Sequence, residues 1–326
     1  MFSIPSTTGE QVLIPASLSE DREYFSTLDS RAAEYLDSEG YVVIRKLIEP
    51  AVCAAIRQSF AAEVKPYRGF LYRQATAKAE RNEFNALGHV MNPLLNLQDL
   101  DPTHFPRLRD KSLEVFTSRA ITGALRTVFG EDPKLVQTMY FEGNSETWAH
   151  QDTYYLDSER LGSMIAAWIA LEDIHPGAGR FFVYAKSHRV DVRKNGGDFA
   201  IAFHHDRYKA LIVNLIRQHG LEMRAPALRA GDVLFWNAKT IHGSLRTLGT
   251  NNTRQSLTAH YIPKSHRFLQ LQSRIKPLRL IEHNEIQVHC PKDQTRLQNR
   301  MTLFVESHFP GPFYLAKRLA VKAATR

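Results

Sequence analysis

The stretch WAHQDTYYLDSERLGSMIAAWIALEDIHPGAGRFFVYAKSH, residues 148–188, decides the fold class of this chain. Its runs of β-branched and aromatic residues are short, and turn-forming residues such as His175-Pro-Gly-Ala-Gly179 separate them. Many short strands of this kind favour a barrel or jelly roll over a parallel α/β sheet. Working outward, the same pattern predicts strands at Leu135–Phe141, Thr147–Tyr154, Met164–Leu171, Arg180–Tyr184, Asp232–Trp236 and Arg254–Ile262.

Helices are predicted around this β-rich part, apart from one inside an insertion. Gly40 is expected to end the first helix and Pro50 to begin the second, with the strand Tyr41–Ile44 between them. The predicted helices cover about 29–38, 51–64, 108–129 and, within an insertion at about 191–221, residues 208–219.

We predict three parts in the chain. Residues 1–28 form a flexible N-terminal arm, residues 29–310 form a single domain with the candidate catalytic core at about 135–262, and residues 311–326 form a basic C-terminal helix. The insertion is expected to shape access to the site. Its candidate substrate contacts are His204, His205, Arg207, Tyr208 and Lys209.

The composition is that of a globular protein with a sizeable core: 326 residues, 43% hydrophobic and 10% aromatic. Cys53 and Cys290 lie far apart, so neither a disulfide framework nor a structural zinc site is predicted. The N-terminal residues lack the segments of a secretion signal, and no run reaches the roughly 18 apolar residues of a membrane span. We expect a cytoplasmic protein and leave its oligomeric state open.

The net charge of +8 raises the question of an acidic partner. Lys and Arg are spread along the chain rather than gathered in one stripe, so no nucleic-acid partner is expected. A small anionic substrate is favoured instead. The stretch from Phe313 to Arg326 has helical apolar spacing and is basic, which predicts a terminal helix that is packed on its own domain or frayed. An interfacial helix on an anionic membrane is the alternative.

Two histidines and one aspartate are the candidate metal ligands. One residue separates His150 from Asp152, so on a strand both side chains point the same way and Gln151 points outward. His242 can complete the set only if its strand end lies beside the first strand in a barrel. Two imidazoles and one carboxylate on one face of a metal form the facial triad of non-heme Fe(II) oxygenases.

Other interpretations are open from these three residues alone. The chain has 14 histidines, and a His-x-Asp spacing arises easily by chance. A zinc hydrolase could use the same ligands, because catalytic zinc also takes three protein ligands. A non-catalytic, cupin-like binding protein could hold a structural ion there, or none.

An arginine with nearby hydroxyl groups predicts a carboxylate site beside the metal. Ser244 follows His242 by two residues and shares its face of the strand, and Arg254 opens the next strand, with Ser256 and Thr258 alternating beside it. Arginine binds a carboxylate through two parallel hydrogen bonds. The distal carboxylate of 2-oxoglutarate needs such a partner, whereas a hydrolase or a structural ion site does not.

These segments resemble the phytanoyl-CoA dioxygenase family of Fe(II)/2-oxoglutarate oxygenases. The resemblance covers about residues 29–262 and implies a double-stranded β-helix, the cupin-like jelly roll, flanked by α-helices in a mainly β fold. The matching stretches are residues 148–188, GDVLFWNAKTIHGS at 231–244, TRQSLTAHY at 253–261 and YLDSEGYVVI at 35–44.

The resemblance also implies roles for individual residues. His150, Asp152 and His242 are implied to be the catalytic ligands of Fe(II), with 2-oxoglutarate and O2 as cosubstrates. The distal carboxylate of 2-oxoglutarate is implied to bind Arg254 and Ser244. Further cosubstrate-binding positions are Trp168, Met139 and, on the same face as Met139, Gln137.

Two segments depart from the family pattern. Ala185-Lys186-Ser187-His188 stands where the family usually has Pro-Gly-Ser-His, and Phe141-Glu142-Gly143-Asn144 replaces a lysine-bearing segment of coenzyme-A-type members. The second departure weakens the case for an acyl-CoA substrate. We therefore predict a dioxygenase that hydroxylates an aliphatic C–H of a small, anionic metabolite with release of succinate and CO2. A hydroxylase of a membrane-associated acidic glycolipid is the alternative.

Overall fold

Two sheets face each other in the computed structural model, which describes residues 2–6, 8–14, 23–143, 146–190, 205–249, 251–271 and 274–324. The mainly β, jelly-roll fold predicted from the sequence is confirmed. The large sheet contains, in spatial order, β18 (Leu280–His283), β19 (Ile286–His289), β7 (Pro133–Phe141), β15 (Ser256–Pro263), β10 (Ile165–Ala170), β13 (Val233–Asn237) and β3 (Tyr41–Ile44), with β6 (Leu94–Leu95) also paired to β7. The small sheet contains β12 (Met223–Arg224), β11 (Phe181–Tyr184), β14 (His242–Ser244) and β8 (Thr147–His150).

The remaining elements surround these two sheets. The other strands are β1 (Phe2–Pro5), β2 (Gln11–Ile14), β4 (Leu71–Tyr72), β5 (Ala79–Glu80), β9 (Leu156–Ser158), β16 (Phe268–Gln270) and β17 (Arg274–Ile275). The helices are α1 (Ser30–Glu39), α2 (Pro50–Glu63), α3 (Pro106–Phe116), α4 (Arg119–Phe129), α5 (His205–Gln218), α6 (Leu297–His308) and α7 (Pro310–Ala324).

The register of the large sheet decides which side chains face the small sheet. Trp168 on β10 lies opposite Leu234 on one side and Thr258 on the other. Thr258 in turn lies opposite Met139 on β7. Because side chains alternate along a strand, these residues share the inner face, and their neighbours face the helices.

Apolar side chains fill the spaces on both sides of each sheet. The inner cluster includes Trp168, Phe181 and Trp236 and joins the two sheets. A second cluster joins the outer face of the large sheet to α1–α4, and a third covers the outer face of the small sheet with α5 and the β1–β2 hairpin. The site between the sheets therefore has rigid, buried walls.

The helix predicted over 108–129 is two helices in the structure. α3 ends at Phe116, and the side chain of Ser118 accepts a hydrogen bond from the backbone N–H of Ile121 at the start of α4. Serine at this position satisfies a backbone donor that a helix start leaves open, so it favours a new helix over a continuous one.

Lys186 occupies the position of the glycine in Pro-Gly-Ser-His, the usual segment in the family that the sequence resembles. Its backbone is left-handed, with φ 65°, so the turn is kept although a lysine carries it. The imidazole Nε2 of His188 lies 2.9 Å from the carbonyl oxygen of Asp37. This contact ties the turn to α1.

Within the arm predicted to be flexible, the described residues 2–6 and 8–14 form a strand pair. β1 and β2 form a hairpin whose Ile4 and Ile14 are buried against the outer face of the small sheet. The guanidinium of Arg217 on α5 donates to the carbonyl of Thr8. The scattered prolines and serines did not indicate this short strand pair, which makes its own apolar contact with the small sheet.

Part of the predicted insertion lies outside the described residues, including His204. Its predicted helix is observed as α5, and Tyr208, Ile212 and Ile216 on this helix pack against the small sheet. In the part of the chain that the structure describes, no helix is long and apolar enough to cross a membrane.

Candidate iron centre

The pairing of β8 with β14 brings the three predicted ligands together. His242 lies directly opposite His150 in this antiparallel pair, so the strand neighbour that the sequence required is present. The Nε2 atoms of His150 and His242 lie 3.7 and 3.5 Å from Oδ1 of Asp152. One ligand atom from each residue lies within 4.8 Å of the other two, which suits a single ion.

Asp152 reaches the centre from a turn rather than from a strand. β8 ends at His150, and Asp152 begins a 3-10 turn that continues to Tyr154. The expectation that Gln151 points outward is wrong. Gln151 is buried, its backbone N–H donates to the hydroxyl of Tyr208, and its side-chain amide donates to the carbonyl of Lys239.

Both histidines are held in the form that can bind a metal through Nε2. Nδ1 of His150 lies 2.7 Å from the carbonyl oxygen of Trp148, and Nδ1 of His242 lies 2.9 Å from that of Thr240. A carbonyl only accepts, so each Nδ1 carries the proton and leaves the Nε2 lone pair directed at the centre. Burial lowers the pKa of the His242 imidazole to about 4, which favours the neutral form.

The second carboxylate oxygen of Asp152 is held by two other side chains. The indole N–H of Trp236 donates to Oδ2 over 2.9 Å, and Nε2 of His260 lies 3.4 Å from the same atom. Burial alone would raise the pKa of Asp152, but His242, His260 and His150 outweigh it and hold this pKa well below its usual range. Asp152 is therefore held in place as an anion, with Oδ1 facing His150 and His242.

Arg254 lies beside this centre with its guanidinium buried between aromatic rings. Its Cζ lies 5.5 Å from the ring centroid of Phe141 and 5.8 Å from that of Trp168. Among the described residues, its Nε has no hydrogen-bond partner and no carboxylate lies within ion-pair distance. Burial lowers its pKa to about 10, which still leaves it cationic at neutral pH. A buried cation without an anion is costly, so this position suits an anionic ligand.

Polar atoms without partners continue from Arg254 along the inner face of β15 and β7. Ser256 Oγ, Gln137 Oε1 and His260 Nδ1 are buried and have no hydrogen-bond partner in the described part of the chain. His260 lies opposite Gln137 in the pairing of β15 with β7. Such groups are expected where a ligand completes the hydrogen bonds.

The structure places the other predicted cosubstrate residues as follows. Trp168 and Met139 lie on the inner face, in one row with Thr258. Ser244 is buried on β14, and its hydroxyl accepts a hydrogen bond from the backbone N–H of Thr147. Arg254 precedes β15, which begins at Ser256, rather than opening it.

Sequence reasoning missed His260 and Trp236. The alternation of Arg254, Ser256 and Thr258 on one face continues to His260, and this continuation was the available signal. Trp236 had no comparable signal, because an apolar strand residue is usually a core residue and only the fold places its N–H against Asp152.

Aromatic and basic side chains form a wall on the other side of the centre. The ring of Tyr155 lies 5.7 Å from that of His150, and its hydroxyl lies 2.9 Å from Nε2 of His205. The ammonium of Lys209 lies 5.1 Å from the ring centroid of Trp148, whose buried indole N–H has no partner among the described residues. Of the predicted substrate contacts, Tyr208 is instead a core residue stacked on Tyr154.

The residues present fit a divalent metal with a chelating dicarboxylate. Two imidazoles and one anionic oxygen converge, and each ligand side chain is fixed by a further hydrogen bond, as metal ligands usually are. Imidazole and carboxylate on one face leave the opposite positions open, which is the pattern of non-heme Fe(II) oxygenases.

Comparison with known proteins gives a family match over most of the chain. A sequence model of the phytanoyl-CoA dioxygenase family matches residues 36–256. The peroxisomal phytanoyl-CoA dioxygenase of Bos taurus is 22% identical over 263 residues, which are 76% of this chain and 72% of the bovine protein.

Solved structures share the fold at low sequence identity. The epimerase SnoN, solved in complex with Fe3+, alpha-ketoglutarate and nogalamycin RO, has a TM-score of 0.56 and 17% identity, over 79% of this chain and 96% of SnoN. The carbocyclase SnoK from nogalamycin biosynthesis has a TM-score of 0.55 and 18% identity, over 76% of this chain and 89% of SnoK. EctD from S. alaskensis with bound Fe has a TM-score of 0.52 and 16% identity, over 84% and 92% of the two chains.

Proposed function

The chain belongs to the phytanoyl-CoA dioxygenase family of 2-oxoglutarate-dependent oxygenases, and we propose that it hydroxylates an aliphatic C–H of a small, anionic metabolite. In this proposal His150, Asp152 and His242 hold Fe(II). When bound, Fe(II) and 2-oxoglutarate supply oxidation by O2 with release of succinate and CO2. The protein's own residues position the reactants and exclude water.

The observation that carries the proposal is the buried guanidinium of Arg254, which has no carboxylate partner among the described residues and whose Nε has no hydrogen-bond partner there. A metal site needs no buried cation beside it, but the distal carboxylate of 2-oxoglutarate needs a partner of opposite charge. The neighbouring Ser256 hydroxyl has no hydrogen-bond partner among the described residues and could donate to the same carboxylate. We propose Trp168 and Met139 as walls of this pocket, with Gln137 and Ser244 as further polar contacts.

The same arginine argues against the two other interpretations of the triad. A zinc hydrolase with these ligands would not respond to 2-oxoglutarate. A non-catalytic, cupin-like ion site would keep a buried cation without a function, although such a cation is costly. We therefore favour the dioxygenase over both.

The wall of Tyr155, His205 and Lys209 supports an anionic substrate. Lys209 lies against Trp148, and Trp148 shares a face of β8 with His150, so the charge of Lys209 lies on the ligand-bearing face of that strand. In this proposal Lys209 attracts the anionic group, and the indole N–H of Trp148 and the hydroxyl of Tyr155 orient it. A cytoplasmic location stays a prediction.

Substrate-stimulated turnover of 2-oxoglutarate tests this proposal. Succinate formation would be measured with matched panels of phosphorylated, carboxylated and neutral metabolites, for the wild type and for Lys209→Ala. We expect an anionic compound to stimulate succinate formation in the wild type and to need at least a tenfold higher concentration in the variant. Stimulation by neutral compounds alone, or an unchanged concentration dependence in Lys209→Ala, would contradict the anionic substrate.

A further inference from the structure

The two C-terminal helices present apolar side chains to solvent. Of the fourteen large apolar side chains that are exposed in the described part of the chain, seven lie within residues 297–319. A monomeric soluble protein rarely exposes so many in one place. They are Leu297, Met301, Phe304, Val305, Phe309, Leu315 and Leu319, and their exposure is between 41% and 64%.

The one buried side chain of α6 is polar, which reverses the usual arrangement. Of the twelve residues of α6, all of them described, only Glu306 is buried. Its carboxylate accepts hydrogen bonds from the hydroxyls of Tyr72 and Tyr314 and from the backbone N–H of Ala79. A surface helix normally turns its apolar stripe inward. Here a buried acid attaches the helix to the domain, and the apolar stripe is left outside.

α6 is also incompletely packed against the domain. A cleft of about 290 Å³ between α6 and the domain is lined by Phe304 and His308 of α6 and by Phe70 and Phe105, although the rings of His308 and Phe70 lie 5.7 Å apart. The helix predicted at 311–326 is observed as α7, and its Leu315 and Leu319 are exposed. The α6–α7 pair therefore presents apolar side chains to solvent.

The charge on this pair is basic. Residues 295–326 contain six Lys and Arg but only one acid, which is the buried Glu306. Arg300 on α6 and Lys317 and Arg318 on α7 are exposed beside the apolar residues. Exposed apolar and basic side chains on one helix pair are the combination that binds anionic lipid headgroups and the acyl boundary below them.

We propose that the α6–α7 pair docks the protein onto the surface of an anionic bilayer. The apolar residues of α6 and α7 enter the interfacial layer, and Arg300, Lys317 and Arg318 contact lipid phosphates. A second copy of the chain is the less suitable occupant, because pairing this surface with itself would bring like charges together. The proposal is independent of the reaction.

Co-sedimentation with vesicles tests the docking without measuring activity. The full chain would be mixed with phosphatidylcholine vesicles, either alone or containing phosphatidylglycerol, and the bound fraction measured at low and high salt. We expect binding to the anionic vesicles, at least tenfold weaker binding to the neutral ones, and weakening by salt.

Three variants separate the contributions. Lys317→Glu/Arg318→Glu and Leu297→Ser/Met301→Ser should each lower the partition coefficient on anionic vesicles about tenfold or more, by removing charge and apolar contact respectively. The control Leu13→Ser/Val52→Ser changes exposed apolar residues outside 297–319 and should bind as the wild type does.

Several outcomes would overturn the proposal. One is the absence of vesicle binding by the folded wild type, and another is equal loss of binding in the control. A stable dimer in sedimentation equilibrium that Leu297→Ser/Met301→Ser dissociates, with no lipid binding, would identify a second copy as the occupant. All the changed side chains are exposed, and the charge variant alone decides the question if the apolar variant does not fold.

Discussion

The two oxygens of Asp152 have separate roles at the scale of single residues. Oδ1 faces His150 and His242, whereas Oδ2 receives the indole N–H of Trp236 and lies near His260. A carboxylate fixed in this way offers one lone-pair direction to a metal. The hydrogen bond of Trp236 should therefore matter for metal affinity although Trp236 is not a ligand.

Trp236→Phe should weaken Fe(II) binding about 10–100-fold, because it removes the donor that orients Asp152 and leaves Oδ2 with one partner fewer. Anaerobic titration with Fe(II) measures this affinity. Trp148→Phe is the matched control, since the indole N–H of Trp148 has no partner among the described residues. Equal weakening in both variants would mean that indole packing, not the hydrogen bond, supports the ligands.

Arg254→Gln should raise the dissociation constant of 2-oxoglutarate about 10–100-fold while the affinity for Fe(II) stays the same. Hydrogen bonds to a charged group contribute about 1.5–3 kcal/mol, and about 1.4 kcal/mol corresponds to a factor of ten. Calorimetric titration of the Fe(II)-loaded protein under anaerobic conditions gives the constant. Arg254→Lys should recover part of the affinity, because it restores the charge but not the paired donors. If glutamine binds the cosubstrate as well as arginine does, the clamp lies elsewhere.

At the scale of elements, the sequence predicted the positions of strands more accurately than the turns, helix breaks and short hairpins between them. Short apolar runs between turn residues located six of the strands, since a strand that is buried on both faces appears in the sequence as a continuous apolar run. Asp152 lies beside the two histidines as predicted, but on a turn rather than on a strand, because the His-x-Asp spacing does not reveal the 3-10 turn after β8. The break at Ser118 and the β1–β2 hairpin depend on one cap and one tertiary contact, which periodicity does not report.

Gly231 is required at the turn before β13. Its φ is 90°, and a Cβ there would lie 2.0 Å from the carbonyl oxygen of Ile48. Gly249 also has positive φ, 81°, but no atom lies within 4 Å of the position of its Cβ. The two glycines therefore separate the cost of the clash from the cost of the backbone conformation.

Gly249→Ala should lower the free energy of unfolding by about 1–2 kcal/mol, the usual cost of a left-handed residue. Gly231→Ala should lower it further, by about 1–3 kcal/mol, because Ile48 and the start of β13 must shift. Urea denaturation followed by circular dichroism measures both. Equal effects of the two substitutions would show that the turn at Gly231 shifts to accommodate a Cβ without a cost in free energy.

At the scale of the whole molecule, a buried acid far along the chain from the iron ligands makes stability depend on pH. Burial raises the pKa of Asp99 to about 8, and its Oδ1 has no hydrogen-bond partner among the described residues. The unfolded chain ionises this carboxyl at lower pH than the folded protein does. The contribution of protonated Asp99 to the free energy of unfolding is therefore fully present below about pH 4 and is lost as pH rises towards about 8.

Asp99→Asn should gain stability over the wild type as pH increases from about 5 to 8, by a few kcal/mol, since one pKa unit corresponds to about 1.4 kcal/mol. Urea denaturation at several pH values measures the difference. Asp101→Asn is the control, because the pKa of Asp101 is lowered and its replacement should not bring a rising advantage. If the difference in unfolding free energy between Asp99→Asn and the wild type did not change with pH, Asp99 would be charged in the folded protein, and this prediction would be wrong.

The arrangement of the whole chain was predictable only in part. The family and the jelly roll follow from short motifs that must meet in one barrel. The exposed apolar side of α6 could not be foreseen, because a helical apolar pattern does not say whether a domain covers it. The division into a domain at 29–310 and a terminal helix at 311–326 stays a prediction.

One titration tests most directly whether this centre binds iron together with 2-oxoglutarate. Metal-free protein would receive Fe(II) and then 2-oxoglutarate without O2, and visible absorption would be recorded for the wild type and for Asp152→Ala. We predict a weak charge-transfer band that needs both additions and is absent from the variant. No band in folded wild-type protein, or an unchanged band in Asp152→Ala, would contradict the proposed centre.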